Sequence, residues 1–93
     1  MSDSAAFHAV VQGRVQGVNY RAFASRDVAR LGLAGYMRNL PDGSVEICAE
    51  GNRKQLEKLI EQLKAGPPGA RVDNLALTWA DCTGQYSYFS VRR

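Results

Sequence analysis

One stretch of this chain can be little other than a surface helix. Leu56, Leu59, Ile60 and Leu63 fall three and four residues apart, so a single apolar stripe runs along an otherwise polar segment. Asn52 stands where a cap is needed, with Gln55 three residues on, and Gly66-Pro67-Pro68 stops the run. A helix of this kind must lay its stripe on something, and its flanks supply the surface. Before it, Val45, Ile47 and Ala49 alternate with Glu46, Cys48 and Glu50; after it, from about Val72 to Ala80, Leu75, Leu77 and Trp79 share one face. The first half of the chain repeats the arrangement. Ala6 to Gln12 reads as a buried strand, and Tyr20, Ala24, Val28 and Leu31 form a second helical stripe ending at Gly32, where a left-handed cap is easy. Asp27 falls near that stripe with no reason visible in the sequence. A further strand spans about Gly35 to Leu40, the Pro41-Asp42-Gly43 turn follows it, and Phe89 with Val91 marks a short final strand. The order βαββαβ predicts an α+β fold, a ferredoxin-like sandwich whose antiparallel sheet carries both helices on one face. Right-handed crossovers then place strands one and three in the middle.

With 93 residues, 45% of them apolar, the chain can form one core but not two, so residues 1–93 are expected to be a single domain. No apolar run approaches membrane-spanning length, and Met1-Ser2-Asp3-Ser4 lacks the regions of a signal peptide, which predicts a cytoplasmic protein, with monomer as the default state. Cys48 and Cys82 do not show metal-ligand spacing and His8 is far from both, so neither a metal nor a cofactor is expected. The net charge of +3 suits an anionic ligand, and it suits a plain solvated surface equally well.

The segment that carries chemistry is Gly13-Arg14-Val15-Gln16-Gly17-Val18-Asn19-Tyr20-Arg21, which joins the first strand to the first helix. A helix start exposes unpaired N–H groups and the positive end of a dipole, and glycines let the backbone bend around a guest without Cβ clashes. Arg21 adds a fork that can grip two phosphate oxygens. A positive charge in a first helical turn opposes the dipole at a cost of roughly 0.3–1 kcal/mol unless an anion sits there. Neither established nucleotide-binding loop fits: no Gly-Lys-Ser or Gly-Lys-Thr follows, and Tyr20 stands where a third glycine would be required.

This loop resembles the phosphate-binding signature of the acylphosphatases, small hydrolases of carboxyl-phosphate anhydrides. The similarity continues through Leu31-Gly32-Leu33-Ala34-Gly35-Tyr36-Met37-Arg38-Asn39, through Asp42-Gly43-Ser44-Val45-Glu46, and on to Gly66-Pro67-Pro68, Ala70, Val72, Trp79, Phe89 and Val91, nearly the whole chain. Tyr20 departs from the phenylalanine most common there, and Asn19 sits at a variable position. The resemblance implies that Gly13 to Asn19 form the amide cradle, that Arg21 binds phosphate and that Asn39 orients the attacking water. Substrate and product would be an acyl phosphate and inorganic phosphate.

The residues suit that chemistry. A carboxylate leaves without a proton donor, because its conjugate acid has a pKa of roughly 4. What remains is to hold the phosphoryl oxygens, spread their charge and aim one water in line. Asn39 is a polar, uncharged candidate for the water, although on sequence alone an asparagine before Pro41 reads as a turn former. Arg14 reads as a surface side chain in a turn. Gln16 either points outward or braces the loop. His8 lies several residues before the cradle and reads as structural. Tyr20, Tyr36 and Trp79 would make a stacking platform of the kind an RNA-recognition sheet uses, yet Ser44 to Glu50 has two acids and no aromatic, so no nucleic-acid partner is expected. A domain handling carbamoyl phosphate within a larger maturation protein is set against the chain's length.

Overall fold

The computed structural model describes residues 3–81 and 83–92. Seven elements follow one another: β1 (Ser4–Arg14), α1 (Tyr20–Arg30), β2 (Ala34–Asn39), β3 (Val45–Asn52), α2 (Arg53–Ala65), β4 (Arg71–Ala80) and β5 (Phe89–Arg92). The sheet order is β4-β1-β3-β2-β5, with strands one and three inside as the crossover rule requires. Neighbours from β4 to β2 are antiparallel. The short β5 joins the outer edge of β2 in parallel, because β4 runs opposite to β2 and the chain turns back on itself after leaving β4.

Alternation along the two central strands sorts the side chains. Phe7, Ala9 and Val11 pair with Ala49, Ile47 and Val45, and all six face the helices. Met37 from β2, Ala24 and Val28 from α1, and Leu56, Leu59 and Leu63 from α2 close over them, each fully buried. Leu75, Leu77 and Trp79 share the helix-covered face as expected but are only half-buried, since β4 is an edge strand.

Both helix ends behave as their residues dictate. Asn52 Oδ1 accepts from the N–H groups of Lys54 (3.0 Å) and Gln55 (3.3 Å), which caps α2. At the end of α1, Gly32 takes φ 70°; its N–H donates to the Ala29 carbonyl and that of Leu33 to the Val28 carbonyl, the paired bonds of a left-handed cap. Asp27 has a local partner, since its Oδ1 accepts from Arg30 one turn on (3.2 Å).

The other sheet face carries no helix and is held by polar pairs. Glu46 accepts from His8 (2.8 Å) and from Arg38 (2.6 Å), bridging β1, β3 and β2. Arg92 lies over the Tyr36 ring at 3.9 Å and pins β5 to β2. Cys48 is a free thiol on this face, and β1 separates its strand from β4; Cys82 lies outside the described residues.

The His8 ring, and with it the Arg38 guanidinium, holds the Glu46 carboxyl below its ordinary range despite partial burial. A carboxylate with a depressed native pKa contributes stability that is whole above the ordinary value of about 4.5 and is lost as pH falls through the native one. Denaturant unfolding between neutral pH and pH 2 should therefore show a loss of stability below about 4.5. Glu46→Gln should start less stable and slope less, and parallel curves for the two proteins would contradict this role.

Candidate active site

The strand-to-helix junction divides into two parts. Gly13 and Arg14 belong to β1, opposite Val72 and Arg71, across a register shift at Gln12/Gly13. Gly13 has φ 131°, and a Cβ there would run into the Arg71 carbonyl oxygen, so β4 is what demands a glycine at this position. Arg14 is exposed, as expected of a surface side chain. The concave part runs from Val15 to Asn19. Val15 is buried in the core and Val18 packs against its edge, which pins the loop from below. Gly17 (φ 71°) and Asn19 (φ 67°) are left-handed, and Val18 between them is not. Such alternation is the backbone pattern of a concavity able to accept an anion. Asparagine is the best substitute for glycine in that conformation, which accounts for Asn19.

Asn19 is the N-cap of α1, yet its side chain makes no capping bond and the first turn holds no acid. Among the described residues, the N–H groups of Gln16 to Ala22 have no backbone carbonyl partner, and Arg21 has neither ion-pair nor hydrogen-bond partner. The helix start is thus left electropositive. Above it opens a cavity of about 690 Å³, walled by Val15, Gly17, Asn19, Arg21 and Ser25, with Val91 of β5 across from them.

Gln16 braces the loop. Its Nε2 donates to the carbonyls of Leu40 (3.0 Å) and Ser44 (2.9 Å), tying the loop to the turn between β2 and β3. That turn is itself closed by bonds from Leu40 N–H to the Ser44 carbonyl and from Gly43 N–H to the Leu40 carbonyl, and Asp42 accepts from the Ser44 N–H. Asn39 immediately precedes the tied residue. It shares the helix-covered face with Met37, and because Val91 pairs with Met37, Asn39 and Val91 are diagonal neighbours on that face. The Asn39 Oδ1 is buried without a partner, although Asn39 stands beside the cavity walls and does not form one of them.

Other candidates lie elsewhere. His8 is on the open sheet face, paired with Glu46. The three aromatic residues form no platform: Tyr20 is buried, its hydroxyl donating to the Leu63 carbonyl (2.7 Å); Trp79 packs edge-on against Phe7; Tyr36 is on the opposite face. Cys48 is on that face too, its thiol pushed up by burial. Ala22, Ser25 and Val91 line the cavity and escaped sequence reading. Ser25 stands four residues after Arg21 and was legible from helical spacing, whereas Val91 reaches the site only through the placement of β5.

The sequence comparisons with known proteins place the chain in one family. The sequence profile of the family described as Acylphosphatase matches residues 7–91. An acylphosphatase of Methylococcus capsulatus is 48% identical over 86 residues, 92% of this chain and 94% of the relative. One of Thermus thermophilus is 51% identical over 76 residues, covering 82% and 86%. The crystal structure of acylphosphatase from Bacillus subtilis superposes with a TM-score of 0.92 at 34% identity, covering 96% of this chain and 99% of that one.

The two bonds from Gln16 are worth about 0.5–1.5 kcal/mol each to stability, but they fix the loop against the turn that carries Asn39. In Gln16→Ala the amides of residues 16–19 should exchange hydrogen faster and phosphate should bind more weakly, with a modest drop in Tm. Unchanged exchange and affinity would show that the loop holds its shape without the brace.

Proposed function

Because this chain belongs to the acylphosphatase family and is thus an enzyme that hydrolyses acyl phosphates, we propose that the cavity at the start of α1 is its active site, with the loop amides and Arg21 holding the phosphoryl group and Asn39 the water. The observation that carries this reading is the electropositive helix start: uncapped N–H groups and a guanidinium without a partner among the described residues, facing one open cavity. An anion there relieves both the unpaired donors and the unfavourable charge in the first turn.

The chemistry asks for little more. Water oxygen bonds to phosphorus as the bond from phosphorus to the acyl oxygen breaks, its electron pair departs on the carboxylate, and the water's proton passes to a phosphoryl oxygen. An acyl phosphate dianion and water thereby become a carboxylate and dihydrogen phosphate. The transition state is loose, so catalysis is positioning and charge stabilisation. The Arg21 fork donates to two phosphoryl oxygens, and the amides of the Val15 to Asn19 loop share the remaining charge. Gly13 and Arg14 contribute as the strand that feeds the loop. The buried, unpartnered Asn39 Oδ1 accepts one hydrogen of the water, and carrying no charge it does not repel the incoming anion. These groups grip phosphate and leave the acyl end open, so acetyl, carbamoyl and larger acyl phosphates all fit the reading.

Two measurements test it. Turnover of a synthetic aromatic acyl phosphate should be unchanged in saturating chelator while a phosphate monoester stays almost inert; activity lost to chelator and restored by magnesium or zinc would overturn the mechanism. Binding and catalysis should also separate by mutation. Phosphate should raise the Tm of the wild type, a hundredfold excess over its Kd being worth roughly 2.7 kcal/mol, and should do so much less in Arg21→Ala, with Arg21→Lys recovering only part. Asn39→Ala should keep the phosphate shift and lose kcat by on the order of a hundredfold. Equal phosphate shifts in wild type and Arg21→Ala, or a normal kcat in a folded Asn39→Ala, would each remove the corresponding assignment.

A further inference from the structure

Building on that site reading, we infer that the Ser25 hydroxyl is the second holder of the attacking water. Ser25 follows Arg21 by four residues on α1, so the two share one helix face, and helical side chains lean toward the helix start. Its hydroxyl is thereby directed at the turn that carries Arg21, and Ser25 forms part of the same cavity wall.

A serine inside a helix commonly returns a hydrogen bond to the carbonyl one turn back. Ser25 does not: its Oγ is buried and has no partner. Among the described residues three buried side-chain polar atoms stand without a partner, namely Ser25 Oγ, Asp27 Oδ2 and Asn39 Oδ1. The second belongs to a carboxylate already held by Arg30 through its other oxygen. The remaining two are linked through Val91. Val91 walls the cavity together with Ser25, and Val91 is also the diagonal neighbour of Asn39 on the helix-covered face of the sheet. Ser25 thus lines the cavity from α1, and Asn39 stands on β2 beside the Val91 that lines it too.

Water attacks through a lone pair, and it presents one steadily only when both its hydrogens are taken up. Asn39 Oδ1 accepts one of them and leaves the molecule free to swing about that bond. Ser25 Oγ accepts the other, which aims a lone pair at phosphorus without bringing a charge near the anion. Ser25 keeps its own proton and forms no covalent bond; the proton released by the water goes to a phosphoryl oxygen. Phosphate binding does not involve the hydroxyl, so its effect belongs in kcat.

The test is Ser25→Ala, which places the strongest helix former in α1, with Ser25→Thr as the variant that retains the hydroxyl. Ser25→Ala should lower kcat about three- to tenfold, the worth of one hydrogen bond, with KM and the phosphate shift in Tm unchanged. Ser25→Thr should recover most of the loss. In an Asn39→Ala background the effect should shrink well below that in the wild type, because a water on one remaining bond already swings and is no longer aimed. An unchanged kcat in Ser25→Ala, or the full loss repeated in Asn39→Ala, would overturn the assignment. So would loss factors that differ between acetyl and benzoyl phosphate, since the hydroxyl would then face the acyl end. Arg21→Ala serves as the control that separates the two readings. If it retains phosphate binding, the site itself is misplaced; if it loses binding while Ser25→Ala is silent, only the role of Ser25 fails.

Discussion

The start of α1 is left without a cap, and much of the surrounding structure holds that arrangement in place. Uncapped N–H groups at a helix start would ordinarily be met by a serine or aspartate side chain or by water, and the loop would relax around them. Three anchors prevent that relaxation. Val15 is buried in the core; Gln16 is bonded to two carbonyls of the β2-β3 turn; Tyr20, the first helical residue, is buried with its hydroxyl on the Leu63 carbonyl at the far end of α2. Burial pushes the Tyr20 phenol up, so it remains a donor. Anchors on both sides of the amides restrict their reorientation, which is what preorganised charge stabilisation requires.

Topology brings the second half of the site to the first. β1 and β3 are central, so the loop leaves the middle of the sheet and the β2-β3 turn lies within reach of Gln16 at the same end. Asn39 ends β2 beside that turn. The parallel addition of β5 then sets Val91 next to Met37 and into the cavity wall. Three separate segments, the loop, the end of β2 with its turn, and β5, thus meet at one end of the sheet.

Legibility in the sequence followed the range of the interaction involved. α2 was readable to its cap because stripe, cap and stop are all local, and the same holds for the Gly32 cap of α1. The bend of the loop into an exposed helix start could be read because glycine conformation and helix polarity are local too. What demands a glycine at position 13 is not legible for the converse reason: its neighbour is the carbonyl of Arg71, a contact that exists only once β4 is in place. Gln16 could not be decided, since the carbonyls it binds lie 24 and 28 residues away. The parallel pairing of β5 and the arrival of Val91 follow from strand order alone and leave no mark on residue spacing.

The grip on phosphate cannot by itself account for rate. Substrate, transition state and product all carry the phosphoryl group, and interactions made equally with all three lower KM without raising kcat. Rate has to come from what differs along the reaction. In a loose transition state the phosphoryl group flattens between the entering and leaving oxygens, and its charge lies over the three equatorial oxygens, where a planar guanidinium and a ring of amides match it better than they match a tetrahedral phosphate. The other difference is the water, which has no place in the grip of substrate or product and must be held by groups of its own. In the proposed mechanism that requirement falls to Asn39, a residue that stands outside the cavity wall and keeps a buried oxygen unpaired.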